Sequence, residues 1–281
     1  MHPNNIHNAP YNFQKLISNH QQLLDFVINN KFGIETIEFS NSEAVLHLNK
    51  ALLKTYYSVN EWNIPEGYLC PPIPGRLDYL LYIKDLIVDK KTNIKGLDIG
   101  VGANCIYPIL ASQLLNWDMV GADIDVTAVA SANENSSEFK EKIEIRHQEN
   151  NSDIFKGIIN EDEYFDFTIC NPPFHASEKE ATKGTLRKLK NLKNDTAFKL
   201  NFGGQANELW CNGGEALFIK RMIRESVAFK TQVGWFTTLV SKNDNLKAIY
   251  KQLSKLNAEY TTVDMEQGNK KSRFVAWKFP S

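Results

Sequence analysis

No apolar run in this chain approaches the ~18 residues that a membrane-spanning helix needs. No basic-then-apolar leader opens it: residues 1–12 are polar and rich in Asn and His, unlike a secretory signal. Cysteine is sparse. Cys70, Cys105, Cys170 and Cys211 stand far apart with no C-x-x-C pair. Neither a zinc site nor a disulfide framework is indicated, and a reducing cytoplasm fits. Strong charge of one sign is also missing. Lys and Arg number 32 against 33 Asp and Glu, a net charge of −1, which excludes a globally basic nucleic-acid binder. Internal repeats and low-complexity tracts are absent.

What remains is an ordinary globular composition, 42% hydrophobic and 23% charged. The 281 residues suffice for one large α/β domain and a smaller appended element. Residues 12–29 carry Leu16, Leu23, Leu24 and Val27 at helical spacing and predict one helix. Ser42 reads as a hydroxyl cap for a second helix, with Glu43 in its first turn. A breaker-rich stretch, 64–75, precedes a helix over 76–88.

From residue 93 the rhythm becomes strand and helix in alternation. Strands are expected at 94–99, 119–124, 143–146, 165–170 and 233–240. Helices are expected at 104–115, 126–135, 214–229 and 243–256. This order predicts a mostly parallel sheet covered on both faces. Residues 259–265 and 274–279, joined by a turn-rich link, predict an antiparallel terminal hairpin. Residues 174–210 fit neither period. They are rich in basic groups, including Lys183, Arg187, Lys188 and Lys190, with seven Lys/Arg against two acids between 179 and 199. A non-periodic segment of this length predicts a functional loop, here a lid that orders on nucleic acid.

Two patterns carry chemistry. Residues 97–106 end the first of these strands and open a helix, with Asp98 before the Gly-x-Gly turn of Gly100 and Gly102. Such a turn lets the backbone approach a ligand closely. The third glycine of the dinucleotide fingerprint is missing, with Asn104 near its place, which argues against a pyrophosphate on the helix N-terminus. The next strand ends in Asp123 and Asp125. A carboxylate there accepts hydroxyl hydrogens of a ribose. Asp123 is the better placed, and Asp125 could instead cap the following helix.

The sharper pattern is Asn171, Pro172, Pro173 and Phe174 at the end of a strand, where open α/β sheets bind ligands. Two prolines fix the backbone and remove two amide donors. An acceptor-rich edge results, made of the Asn171 side-chain oxygen and the Pro172 carbonyl. It suits the hydrogens of a planar, ring-conjugated amino group, with Phe174 as a stacking face.

These motifs, with residues 70–78 upstream and 203–215 downstream, resemble the RlmF family. Its members are bacterial 23S ribosomal RNA adenine-N6 methyltransferases, related to the METTL-type U6 snRNA methyltransferases of eukaryotes. The likeness runs from about residue 11 to the C-terminus. It implies a class I, Rossmann-like fold with a mostly parallel seven-stranded sheet, an antiparallel terminal hairpin and an N-terminal helical element. The expected division is an RNA-binding element over 1–75 and a methyltransferase domain over 76–281.

The likeness also implies S-adenosylmethionine as cofactor, held by Asp98, Gly100 and Gly102 and by five further residues. Arg76 would grip the methionyl carboxylate, a task for guanidinium. Gly100 and Asn104 would meet the methionine side, Asp123 the ribose and Asn151 the adenine. Asn171 would touch both methionine moiety and target base. At Asp123 the eukaryotic relatives carry Glu. The expected activity is N6-methylation of an adenosine in large-subunit ribosomal RNA by a cytoplasmic, metal-free monomer. Rival readings are a protein glutamine methyltransferase, which would carry Tyr at Phe174, a DNA adenine methyltransferase, and a non-catalytic RNA-binding module.

Overall fold

The N-terminal element departs from the all-helical expectation. Helix α1 spans only Phe13–Asn19, capped by the Asn12 side chain, which accepts from the Lys15 N–H. His20 leaves helical geometry at φ −147°, and a 3-10 turn over Gln21–Phe26 follows. The chain then pairs strand β1 (Val27–Asn29) with β2 (Glu35–Ile37), antiparallel. The cause is local. Asn30 Oδ1 accepts from the N–H of Phe32 and of Ile34, and Gly33 takes φ +73°, so the five residues 30–34 close a hairpin. Leu16 and Leu23 still bury fully, from two elements rather than one helix.

Helix α2 (Ser42–Tyr57) is capped by Asn41, whose Oδ1 accepts from Glu43 and Ala44, so Ser42 is its first residue rather than its cap. Helix α3 (Ile73–Leu86) starts earlier than expected, because Pro74 is compatible with a first turn. The structure, a computed structural model, describes residues 1–87, 93–173, 213–267 and 270–280.

Strand β3 (Lys95–Ile99) leads through α4 (Ile106–Leu115) to β4 (Asp118–Asp123), then α5 (Val126–Asn135), β5 (Ile143–His147) and β6 (Phe165–Cys170). After residue 212 come α6 (Gly214–Ser226), β7 (Val233–Leu239), α7 (Leu246–Lys255), β8 (Glu259–Gln267) and β9 (Lys270–Lys278). The sheet order is β5-β4-β3-β6-β7-β9-β8. β5, β4, β3, β6 and β7 run parallel, and β9 pairs antiparallel with both β7 and β8. This is the class I methyltransferase sheet, with its terminal hairpin.

Each face has its own core. Leu52, Tyr79, Leu80, Ile109 and Phe274 pack on one side, and Phe155, Met222, Phe236, Leu253 and Trp277 on the other. The strand order reverses between β4 and β6 on either side of β3, the switch point where such sheets bind ligands. Ile99 pairs with Ala122 on one side and Cys170 on the other. The next residues, Gly100, Asp123 and Asn171, therefore stand abreast at the carboxyl edge.

The N-terminal element is tied to this core. The His2 main-chain N–H and the Asn5 amide both donate to Asp78 Oδ1 in α3, at 2.9 and 2.6 Å. The terminal ammonium of Met1 donates to the Glu266 carbonyl in β8. His7 is 5% exposed, hydrogen-bonded through Nε2 to the Tyr57 hydroxyl at 2.8 Å. Burial lowers its pKa from 6.5 to about 4. The folded state thus holds His7 neutral while the unfolded chain takes up a proton below pH 6.5. Stability is expected to fall as pH drops from 6.5 toward 4, by up to about 3 kcal/mol from this residue. Denaturant melts of wild type and His7→Gln across that window check it: the variant's pH slope should be the flatter.

Candidate functional site

At the carboxyl edge of β3, β4 and β6 lies a cavity of about 370 Å³, within the size range of small-molecule cofactor sites. The glycine turn forms its floor. Gly100 and Gly102 adopt φ +77° and +64°, values that side-chain-bearing residues avoid. Asn104 closes the turn, its Oδ1 accepting from the Ile106 N–H at 3.0 Å, while its carbonyl accepts from Trp62 Nε1.

Asp123 holds the turn from the side. Its two oxygens accept from the Gly102 N–H at 2.9 Å and the Asp125 N–H at 3.0 Å. Burial, above all, raises its pKa, and Asp125 adds to the rise. Asp125 itself caps α5 through Oδ1, and its Oδ2 accepts from the Tyr68 hydroxyl at 2.8 Å. Of the two strand-end acids, Asp125 is the cap.

Three buried polar groups at or beside the cavity have no hydrogen-bond partner among the described residues. They are Arg76 Nε, both oxygens of Asp98 and Asn171 Oδ1. Buried polar groups are nearly always satisfied, so such a cluster marks a ligand site. The Arg76 guanidinium carbon stands 5.3 Å from the Tyr107 ring centroid, and its Nη1 donates to the Tyr107 hydroxyl at 2.7 Å. Burial holds the Asp98 carboxyl well above the usual carboxylate range, Asp123 pushes it further, and Arg76 pulls it down. A half-buried cation and a buried acid, each short of a partner among the described residues, fit the two ends of an amino acid zwitterion.

Arg76, Gly100, Gly102, Asn104, Asp123, Asn151, Asn171, Pro172 and Pro173 all line the cavity, and Asp98 lies in β3. Phe174 and the basic segment 174–210 lie outside the described residues. Sequence reasoning overlooked the wall formed by α6. Arg221 Nη2 donates to the carbonyls of Asn151 and Ser152 at 3.2 and 2.8 Å. Glu225, one turn later, accepts from the N–H groups of Ile154, Phe155 and Lys156 at 2.7–3.0 Å. An Arg and a Glu four apart on a helix read as a surface ion pair. Here they clamp the loop that carries Asn151.

Comparison with known proteins agrees with this geometry. A family model described as RNA methyltransferase matches residues 1–281. Ribosomal RNA large subunit methyltransferase F of Christiangramia forsetii is 59% identical over 99% of this chain and 100% of that protein. The protein of the same name from Flavobacterium johnsoniae is 50% identical over 99% of this chain and 93% of its own length. The solved catalytic domain of hMettl16 in complex with MAT2A 3'UTR hairpin 1 superposes with a TM-score of 0.85 at 27% identity, covering 100% of this chain and 96% of that one. The N-terminal domain of human METTL16 in complex with SAH gives 0.79 at 26%, covering 100% and 98%. With a matching fold, relatives 50–59% identical over nearly its whole length and a family model spanning residues 1–281, the chain belongs to the RNA methyltransferase family.

Proposed function

We propose that this chain transfers the methyl group of S-adenosylmethionine to N6 of one adenosine in large-subunit (23S) ribosomal RNA. It does so as a cytoplasmic monomer without a metal. The observation that carries this reading is Asn171 Oδ1, a buried acceptor at the cavity edge with no partner among the described residues, followed by two prolines that remove main-chain donors. The names of its relatives supply the RNA.

The cofactor brings an electrophilic sulfonium methyl. Arg76, whose Nε has no partner among the described residues, would hold the methionyl carboxylate, and Asp98, whose two oxygens have none, the ammonium. Asp123 would accept the ribose hydroxyls, and Asn151 and its clamped loop would border the adenine. Asn171 Oδ1 and the Pro172 carbonyl would accept the two N6 hydrogens of the target. That grip draws the nitrogen toward a pyramidal shape and aims its lone pair. Positioning and preorganised acceptors then do the work. The surplus proton leaves to solvent once the new C–N bond has made the nitrogen acidic. The N-terminal element, residues 1–75, and the basic segment 174–210 would hold the RNA.

Glu225→Ala leaves three main-chain N–H groups of the loop unpaired. Cofactor affinity should fall roughly tenfold, the scale of one lost charged contact, with kcat at saturating cofactor little changed. Calorimetry and a KM-against-kcat comparison check this.

The reading itself is tested with purified protein, methyl-labelled cofactor and protein-free large-subunit RNA from cells lacking this gene. Label in N6-methyladenosine is expected. Label in methylated glutamine of an added protein would favour the rival enzyme. Cofactor binding with no transfer would favour a non-catalytic module.

A further inference from the structure

The largest exposed apolar group in the N-terminal element is Phe32, 73% exposed at the tip of the β1–β2 hairpin. Beside it Ile34 is 58% and Ile28 is 49% exposed. Strand alternation puts Ile28 and Ile34 on one face of the hairpin, and Val27 and Ile37 on the face toward the core. Four hydrogen bonds hold this tip in shape. Beyond the two bonds to Asn30 Oδ1, the Asn30 N–H donates to the Ile34 carbonyl and the Gly33 N–H to the Asn30 carbonyl, each at 2.9 Å. The Lys31 ammonium lies 4.9 Å from the centroid of the Phe32 ring.

The foot of the hairpin leads to a surface that carries Lys50 and Lys54 beside the acids Asp25 and Glu43. Phe26, the residue before β1, stacks on His47 of α2 at 5.0 Å, and His47 stacks in turn on His20. Lys50 and Lys54 act electrostatically on His20, and Lys50 also on His47. The same helix reaches the cavity rim. Asn49 donates to the Pro71 carbonyl at 2.8 Å, and Pro71 lines the cavity. From the cap at Asn41 to Asn49 is eight residues, about 12 Å of helix. A hydrogen-bonded aromatic tip, a cation on its ring and two lysines at its foot together match the needs of single-stranded nucleic acid. Bases stack on aromatic faces, and lysines meet the phosphates.

We propose that the hairpin of residues 27–37 is a base-stacking platform. The Phe32 ring, with Lys31 against it, receives an unpaired base of the substrate RNA, while Lys50 and Lys54 take neighbouring phosphates. This deepens the proposed function by assigning part of the RNA grip to named side chains. It is tested by binding alone, so it stands or falls apart from the question of which atom is methylated.

The test measures affinity for protein-free large-subunit RNA and for a 20-nucleotide adenosine homopolymer, across a salt titration. Phe32 is exposed, so Phe32→Ala should fold and bind S-adenosylmethionine as wild type does. Its affinity for both RNAs is expected to fall roughly tenfold, and Phe32→Trp should restore it. Lys50→Gln with Lys54→Gln should flatten the salt dependence, lowering the slope by about one to one and a half. Undiminished binding of both RNAs by Phe32→Ala overturns the proposal. If that variant loses affinity only for intact ribosomal particles, the hairpin contacts a protein instead. If it abolishes a wild-type dimer seen by light scattering, the hairpin contacts a second copy.

Discussion

Asn171→Ala is expected to keep its fold and most of its cofactor affinity while single-turnover methylation falls at least about a hundredfold. The asymmetry follows from the hydrogen bonds around the residue. Among the described residues Asn171 Oδ1 accepts no hydrogen bond, so its removal strands no donor there. The side chain is needed only when a target amino group is present. Loss of one preorganised acceptor then raises the barrier by the amount typical of an oxyanion-hole donor. Rapid-quench measurement with saturating RNA and cofactor isolates the chemical step. Near wild-type rates would remove Asn171 from the mechanism.

Asp123→Ala should weaken S-adenosylmethionine binding by roughly 1–3 kcal/mol, the scale of a lost charge-assisted hydrogen bond. Here the structure adds a second consequence. The carboxylate also holds the Gly102 and Asp125 N–H groups, so alanine loosens the glycine turn and lowers the melting temperature as well. Asp123→Asn separates the two effects. It keeps an acceptor for the turn and loses the charge, so affinity should drop with a smaller change in melting. Calorimetry on both variants decides. Unchanged affinity in Asp123→Asn would assign the ribose to another group.

Much of the sheet was legible because its chemistry is local. Gly100 and Gly102 needed positive φ, Asp123 ended a strand, and short apolar runs from residue 93 onward became β3 to β7 with shifts of a residue or two. The choice between Asp123 and Asp125 was open in the sequence. In the structure Asp125 caps α5 through Thr127 and Ala128 and accepts from Tyr68, which favours the proposed ribose role for Asp123. The β1–β2 hairpin was missed for a different reason. Leu16, Leu23, Leu24 and Val27 fall at helical spacing, but His20 breaks the helix and the Asn30 side chain makes a turn that periodicity does not register. The clamp by Arg221 and Glu225 was also invisible. Its partners are main-chain groups 69 to 71 residues away, and no side-chain pattern encodes them.

The measurement that bears most directly on N6-methylation of ribosomal RNA is a map of N6-methyladenosine in large-subunit RNA from cells with and without this gene. One modified adenosine should vanish on deletion, return with the wild-type gene and stay absent with Asn171→Ala. Identical maps in the presence and absence of the gene would contradict it.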